Sequence, residues 1–359
     1  MLANIVSRLL IGVVALTGLC HAAPPADIHA RAVSSAGGQI VVDVGGVYMR
    51  ATRLSDGSIL GGYSAQDGQN RVLRVVKSTD GGASWTRIGT AASTPAAMHD
   101  MDNAFPLQLP NGRVLFAFRN HDLTASGSYT YFRITLCYSD DGGHNWSFLT
   151  QIDERPMNGV NGLWEPFLRV SRDGTLQAFY SSENSANDQD NIMKTSKDNG
   201  NTWSGPRPVS GEGITSRDGM TGVSNIDNNG NVICVFENTE SGPFSIDYVL
   251  SQDDGFTWNS RTRLYTAANG KNAGAPHVIN VGGRLVASFM TNEDSNTPAL
   301  DGGQMKVIVS TDGGRSWGGS TVTGNTGSHW AGMYPLDSNQ FLALYSFDGA
   351  GLVSQRYHL

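Results

Sequence analysis

One octapeptide, present five times, constrains what this chain can fold into more than any other feature. The copies run Ser78–Trp85, Ser139–Trp146, Ser196–Trp203, Ser251–Trp258 and Ser310–Trp317, with the pattern S-x-D-x-G-x-[STN]-W. Their aspartates, Asp80, Asp141, Asp198, Asp253 and Asp312, recur about every 58 residues. A period of that length marks a solenoid, propeller or array. The chemistry of each copy is that of a turn. Asp folds its carboxylate onto backbone N–H groups, Gly supplies positive φ, and Trp packs between neighbouring layers. A calcium loop is the rival reading, but the copies lack the several spaced carboxylates such a loop needs.

Each interval holds four short β-like runs, with the octapeptide between the third and the fourth. In the second interval they are 104–109, 113–118, 131–139 and 147–152; in the fourth, 220–226, 232–237, 246–251 and 262–266. Four antiparallel strands per unit make a propeller blade. Turn pairs such as Asn111-Gly112 and Asn229-Gly230 separate the first two runs. Composition agrees: 44 of the 359 residues are Gly and 16% are charged, against roughly 25% charged in an average soluble domain. Long helices and a disordered chain are thereby excluded. Dividing the chain beyond residue 23 by the period predicts an all-β, six-bladed propeller. The sixth blade lacks the octapeptide and holds three runs, 329–336, 341–347 and 352–358. Its fourth strand is expected at 39–44, which would close the ring and remove its sheet edges.

Residues 1–23 read as a secretory signal: Arg8, an apolar stretch from Leu9 to Cys20, then Ala22 and Ala23. The apolar stretch is too short to span a membrane. The expected mature protein is one catalytic domain, 24–359, exported to the periplasm or medium as a monomer without a membrane partner. The net charge of −7 and the lack of basic runs disfavour nucleic acid. Cys137 and Cys234 lie in apolar runs and are expected as buried thiols, with a disulfide as the alternative. No Cys/His cluster has zinc-ligand spacing, and neither a metal nor a cofactor is expected.

In a propeller the innermost strands converge on a central channel, so first-strand starts and second-strand ends are the positions to search. Blade one offers Tyr48, Arg50 and Tyr63. Blade two offers His99, Asp100, Asp102, Arg119, Asn120 and His121. Blade three offers Trp164, Glu165, Tyr180, Glu183, Asp188, Gln189 and Asp190. Blade four offers Arg217, Asp218 and Glu237, blade five His277 and Asn292, and blade six His329, Trp330 and Tyr334. Of these, Arg50, Asp102, Arg119, Asn120, His121, Trp164, Tyr180, Asp188, Gln189, Asp218, His277 and Trp330 form the expected substrate-binding set. Trp164 and Trp330 are the tryptophans outside the octapeptides, and an aromatic ring at a channel mouth suits the apolar face of a sugar. Glu165, in Gly162–Leu168, and Glu237, ending Val232–Glu237, sit in apolar runs. Desolvation there raises a carboxyl pKa. A pair of carboxylates, one acid and one nucleophile or base, is what glycoside hydrolysis needs. The alternative for each is a structural ion pair with Arg50, Arg119 or Arg217.

The octapeptide is similar to the Asp-box, or BNR repeat, of sialidase-like propellers. The runs Arg53–Leu60, Phe105–Pro110, Phe116–His121, Gly162–Phe167, Asp188–Asp190, Asp218–Met220 and Val235–Glu237 resemble glycoside hydrolase family 93, whose members are secreted six-bladed exo-arabinanases. That resemblance covers roughly residues 40–350. It implies release of arabinobiose from the non-reducing ends of α-1,5-L-arabinan, a side chain of pectin, with retention of configuration. It implies Glu165 and Glu237 as the catalytic pair and Tyr334 as the active-site tyrosine. The reading leans to Glu165 as nucleophile and Glu237 as acid/base, although the sequence does not decide between them. Two rivals remain. One is a sialidase, in which Arg50, Arg119 and Arg217 hold a substrate carboxylate and Tyr334 attacks. The other is a non-catalytic propeller that binds a glycan or protein, because the fold does not specify function.

Overall fold

The computed structural model describes residues 33–295 and 299–359; the expected signal segment lies outside them. Among the described residues the repeats fold into six antiparallel sheets. The chain opens with β1 (Ser34–Ser35) and β2 (Ile40–Asp43). Blade one is β3 (Val47–Arg53), β4 (Ile59–Asp67), β5 (Asn70–Ser78) and β6 (Thr86–Pro95). Blade two is β7 (His99–Gln108), β8 (Val114–Leu123), β9 (Tyr129–Ser139) and β10 (Ser147–Pro156). Blade three is β11 (Leu163–Val170), β12 (Leu176–Ser185), β13 (Asp188–Ser196) and β14 (Arg207–Ser210). Blade four is β15 (Gly219–Asn225), β16 (Val232–Asn238), β17 (Ser245–Ser251) and β18 (Asn259–Tyr265). Blade five is β19 (Ala273–Val281), β20 (Arg284–Thr291), β21 (Gln304–Ser310) and β22 (Gly318–Gly324). Blade six is β23 (Ser328–Pro335), β24 (Gln340–Phe347) and β25 (Gly351–His358).

Burial explains the hydrophobic pattern of each strand. Second strands have both faces covered by neighbouring blades, so they read as continuous apolar runs rather than alternating ones. Val232, Ile233, Cys234, Val235 and Phe236 of β16 are all 0% exposed. Outer strands such as β10 mix exposed and partly buried positions. Cys137 and Cys234 are buried free thiols.

The expected ring closure is present. β2 pairs with β25 through Ile40↔Ser354, and β1 pairs with it through Ser34↔His358. The N-terminal segment therefore covers the edge that blade six would otherwise expose.

The octapeptides behave as turns. In the third copy Ser196 Oγ donates to Asp198 Oδ1 at 2.7 Å and accepts the Gly200 N–H at 2.9 Å. Asp198 also accepts the Thr202 N–H and hydroxyl at 2.9 and 2.6 Å. Gly200 has φ 92°, and a Cβ there would come within 2.8 Å of Leu136 in the preceding blade. Only Gly meets both demands. Joining third to fourth strands, these turns lie at the end of each blade where the first strand finishes. The starts of the first strands face the other way and form the opposite mouth of the channel.

Candidate active site

A second repeat, not evident from the octapeptides, builds that mouth. Every innermost strand carries a register shift opposite its second strand: Val47/Arg50, Asp102/Phe105, Trp164/Phe167, Gly219/Gly222, Gly274/His277 and His329/Gly332. In each shift two residues face one, which is a β-bulge. The first bulged residue always has positive φ and is never Gly: Tyr48 (58°), Asn103 (59°), Glu165 (44°), Met220 (51°), Ala275 (50°) and Trp330 (58°). Such a conformation costs on the order of 1–3 kcal/mol and re-aims the side chain. The residue opposite is always a buried aromatic: Tyr63, Phe118, Tyr180, Phe236, Phe289 and Tyr345. Pro166 and Pro276 occupy second bulged positions, where the ladder is interrupted and no strand N–H is needed.

In five of the six blades the residue after the aromatic reaches towards the next blade. Ser181 Oγ accepts the Met220 N–H at 3.2 Å, Glu237 Oε2 accepts the Ala275 N–H at 2.6 Å, and Met290 Sδ accepts the Trp330 N–H at 2.9 Å. Ser64 donates to Asp102, and the Arg119 guanidinium lies 5.2 Å from the Trp164 ring. This rule explains how two glutamates from different strand types meet. Glu165 is the bulged residue of blade three, and Glu237 follows the aromatic of blade four.

Both glutamates are partly buried. Burial and the nearby Glu237 charge push the Glu165 carboxyl up to about 7, against smaller opposing effects of Arg119, Ser181 and Arg217. Burial also raises Glu237, opposed by the Ala275 N–H and by Arg217. Arg217 is held in turn: its Nη2 donates to Glu183 Oε1 at 2.7 Å and Gln189 Oε1 at 3.0 Å. Glu183 Oε2 accepts the Gly162 N–H at 2.9 Å.

The rim beside them is aromatic and cationic. Trp330 lies 6.3 Å from Tyr48, and the Arg50 guanidinium lies 4.1 Å above the Tyr48 ring. Burial pushes the Tyr48 phenol up to about 12, so it stays protonated at neutral pH. Arg119 donates to Asp100 at 3.2 Å and lies 3.7 Å from Asp102. Of the expected residues, the mouth thus brings together Arg50, Asp102, Arg119, Trp164, Glu165, Glu237 and Trp330.

Others serve the frame instead. Tyr180 is one of the aromatics opposite a bulge, and its hydroxyl donates to Asp153 at 2.6 Å. Asp218 is 0% exposed and held by Arg261 at 2.5 Å. Gln189 donates to the Asp218 carbonyl at 2.9 Å. His121 is buried beside Trp164, with its pKa lowered to about 3 by burial, and its Nδ1 accepts the Arg133 N–H at 3.2 Å. His277 is buried and held neutral by desolvation, with Nδ1 accepting the Met333 N–H at 3.1 Å. Asp188 accepts from Asn184 at 3.4 Å, and Asn120 Oδ1 has no partner among the described residues.

Tyr334 needs a correction. It lies four residues beyond the Trp330 bulge, paired with Leu342 near the end of blade six remote from the mouth. Its ring is 5.7 Å from Arg53 and packs with Met49, Ile59 and Leu342. A strand of that length carries it away from the glutamate pair. Sequence reasoning missed Ser181 and Ala275, which contact the glutamates. The signal for Ser181 was the aromatic recurring in each second strand, as in Phe-Tyr180-Ser181 and Val-Phe236-Glu237, whereas Ala275, a bulged residue on a first strand, carried none. Among the described residues no cluster of three or more His, Cys, Asp or Glu is placed to hold a metal.

Residues 136–324 match the family model described as a BNR repeat-like domain. The chain belongs to the BNR repeat-like family. None of the curated proteins matches it. This BNR propeller superposes on the family 93 α-L-arabinofuranosidase of Fusarium graminearum with arabinobiose at a TM-score of 0.70, with 19% identity, covering 90% of this chain and 98% of that one. For Penicillium chrysogenum α-L-arabinanase complexed with arabinobiose the TM-score is 0.66, with 20% identity and coverage of 90% and 96%. For the NanB sialidase of Streptococcus pneumoniae it is 0.60, with 12% identity and coverage of 90% and 69%. The BNR protein therefore has a sialidase-like fold shared with glycoside hydrolases.

Proposed function

We propose that this propeller is a retaining glycoside hydrolase of the family 93 type, acting on α-1,5-L-arabinan from the non-reducing end to release arabinobiose. The observation that carries the reading is the coupled pair at the mouth: Glu165 is raised to about 7 in part by the charge of Glu237. The electrostatics favour the reverse of the roles that the sequence leaned to. Glu165 keeps a proton near neutrality and serves as the acid. Burial raises Glu237 as well, but the Ala275 N–H and Arg217 favour its carboxylate form, and it serves as the nucleophile. In the first step a Glu237 oxygen bonds to the anomeric carbon, the glycosidic C–O bond breaks, and the Glu165 proton passes to the leaving oxygen. In the second, Glu165 takes a proton from water, whose oxygen displaces Glu237.

A neutral substrate suits the mouth, because two of its three arginines are already paired with carboxylates, Arg119 with Asp100 and Asp102 and Arg217 with Glu183, while the buried Arg50 donates to the Met49 and Trp330 carbonyls. A sialidase mechanism would need a tyrosine beside the pair, and Tyr48 holds its proton to about pH 12. Residues 1–23 are read as the export signal and the mature domain as a monomer that meets polysaccharide outside the cell.

Product analysis on debranched linear arabinan tests the activity: arabinobiose is expected, and a ladder of longer products or no cleavage would overturn it. Glu165→Gln and Glu237→Gln should each lower kcat by about a thousandfold. Azide separates the roles. Added to Glu165→Ala it should give the glycosyl azide of retained configuration, whereas added to Glu237→Ala it should give the inverted one.

A further inference from the structure

We propose that the seam between blades six and one holds a distal subsite for a neutral glycan, continuous with the catalytic mouth through Trp330. The inference rests on the glycoside hydrolase reading above and adds a binding site to it. A cleft of about 410 Å³ opens there, between the Val44–Gly46 turn and the hairpin joining β24 to β25. Its volume is within the range of small-ligand sites. Gly45, His329, Trp330, Ser346, Phe347 and Asp348 contribute to its lining.

Ser346 singles out this seam. It follows the buried aromatic Tyr345, and so occupies the position that elsewhere reaches the next blade, as Ser181, Glu237 and Met290 do. Here Ser346 is only 5% exposed, yet its hydroxyl has no partner among the described residues. A buried hydroxyl without a partner carries a desolvation penalty, which a ligand hydroxyl lining the cleft would remove.

The other groups fit a sugar. Trp330 and Phe347 offer apolar surface to ring C–H groups. Asp348, with a side chain 74% exposed, is held by His329 Nε2 at 3.0 Å, while His329 Nδ1 meets Asp301 at 2.5 Å. An oriented carboxylate accepts sugar hydroxyls through charge-assisted bonds. The lining contains no Lys or Arg, and its imidazole, His329, whose pKa is raised, against the effect of burial, by hydrogen bonds to Asp301 and Asp348, is already paired with both carboxylates, so no cation is left free for an anionic ligand. At the outer end Val44 is 83% exposed, leaving room for a chain to run out into solvent.

The test compares kcat/KM on linear α-1,5-arabinohexaose and arabinotriose for the wild type, Ser346→Ala and Asp348→Ala. The wild type should prefer the longer oligomer. That preference should fall about threefold in Ser346→Ala and about tenfold in Asp348→Ala. Thermal melting of Ser346→Ala should be no lower than wild type, because no protein hydrogen bond is lost. If the wild type cleaves both oligomers and both variants keep the wild-type preference, the subsite is wrong and the hydrolase reading stands. If the wild type cleaves neither, the hydrolase reading fails first and the subsite goes with it.

Discussion

Arg217 shows how much at this site depends on single residues. It contacts neither glutamate by a direct ion pair, yet its charge lowers both carboxyl pKa values. Its place is set by Glu183 and Gln189. Removing the cation removes a stabilisation of the carboxylate forms, so both groups should keep their protons to higher pH. For Arg217→Gln we therefore expect both limbs of the pH profile of kcat/KM to move upward by about one pH unit. In the wild type the alkaline limb should lie near pH 7, where the Glu165 acid is lost. Limbs that stay in place in the variant would show that Arg217 is too well screened to matter. Glu165 and Glu237 could be singled out in the sequence because carboxylates are rarely found in apolar runs. Arg217 could be noticed there, but its coupling to both glutamates depends on the neighbouring blade three, which supplies Glu165, Glu183 and Gln189. Tyr334 also stood at a plausible position, and four residues of strand put it at the wrong end.

Elements of two kinds repeat in each blade, and they differ in how openly the chain displays them. The octapeptide is visible because the bonds that define it, those of its Ser and Asp side chains, are local. Asp198 binds the Thr202 N–H and hydroxyl four residues on, which holds its pKa down to about 2. Asp198→Ala should cost about 1–2 kcal/mol at pH 7, measured by chemical denaturation. The sign of the pH dependence follows from the lowered pKa. The stabilisation is complete above the unfolded value near 4 and fades as pH falls towards 2. The gap between wild type and variant should therefore close over that window; a gap that stays constant would assign the loss to packing rather than to the carboxylate. The bulge is less visible. Its marks are one residue with positive φ on the first strand and an aromatic on the second, more than ten residues apart, and the bulged residues Tyr48, Asn103, Glu165, Met220, Ala275 and Trp330 share no chemistry.

For the whole molecule, closure of the ring matters most. β1 and β2 cover the free edge of β25, and Asp43 binds Arg74 and Tyr63 at 2.5 and 2.7 Å. A chain starting at Val44 would expose β25 along its length and lose these bonds. We expect its melting temperature to fall by about 5 °C or more and the protein to form concentration-dependent oligomers through the exposed edge. Differential scanning calorimetry and size-exclusion chromatography would show both; an unchanged melt and a single monomer peak would mean that the ring holds without its closing strands.

Blade number, strand order, turn chemistry and the closing role of the N-terminal segment were determined by the sequence alone. Each rests on short-range bonds or on a period that repeats along the chain. Which residues share the mouth was decided only by the tertiary structure. That choice depends on bulges that turn a side chain from a sheet face to the channel, and on contacts that pass from one blade to the next. Glu165 and Glu237 lie 72 residues apart in the chain, and no local pattern specifies that the bulge of one blade and the second strand of the next point at the same space.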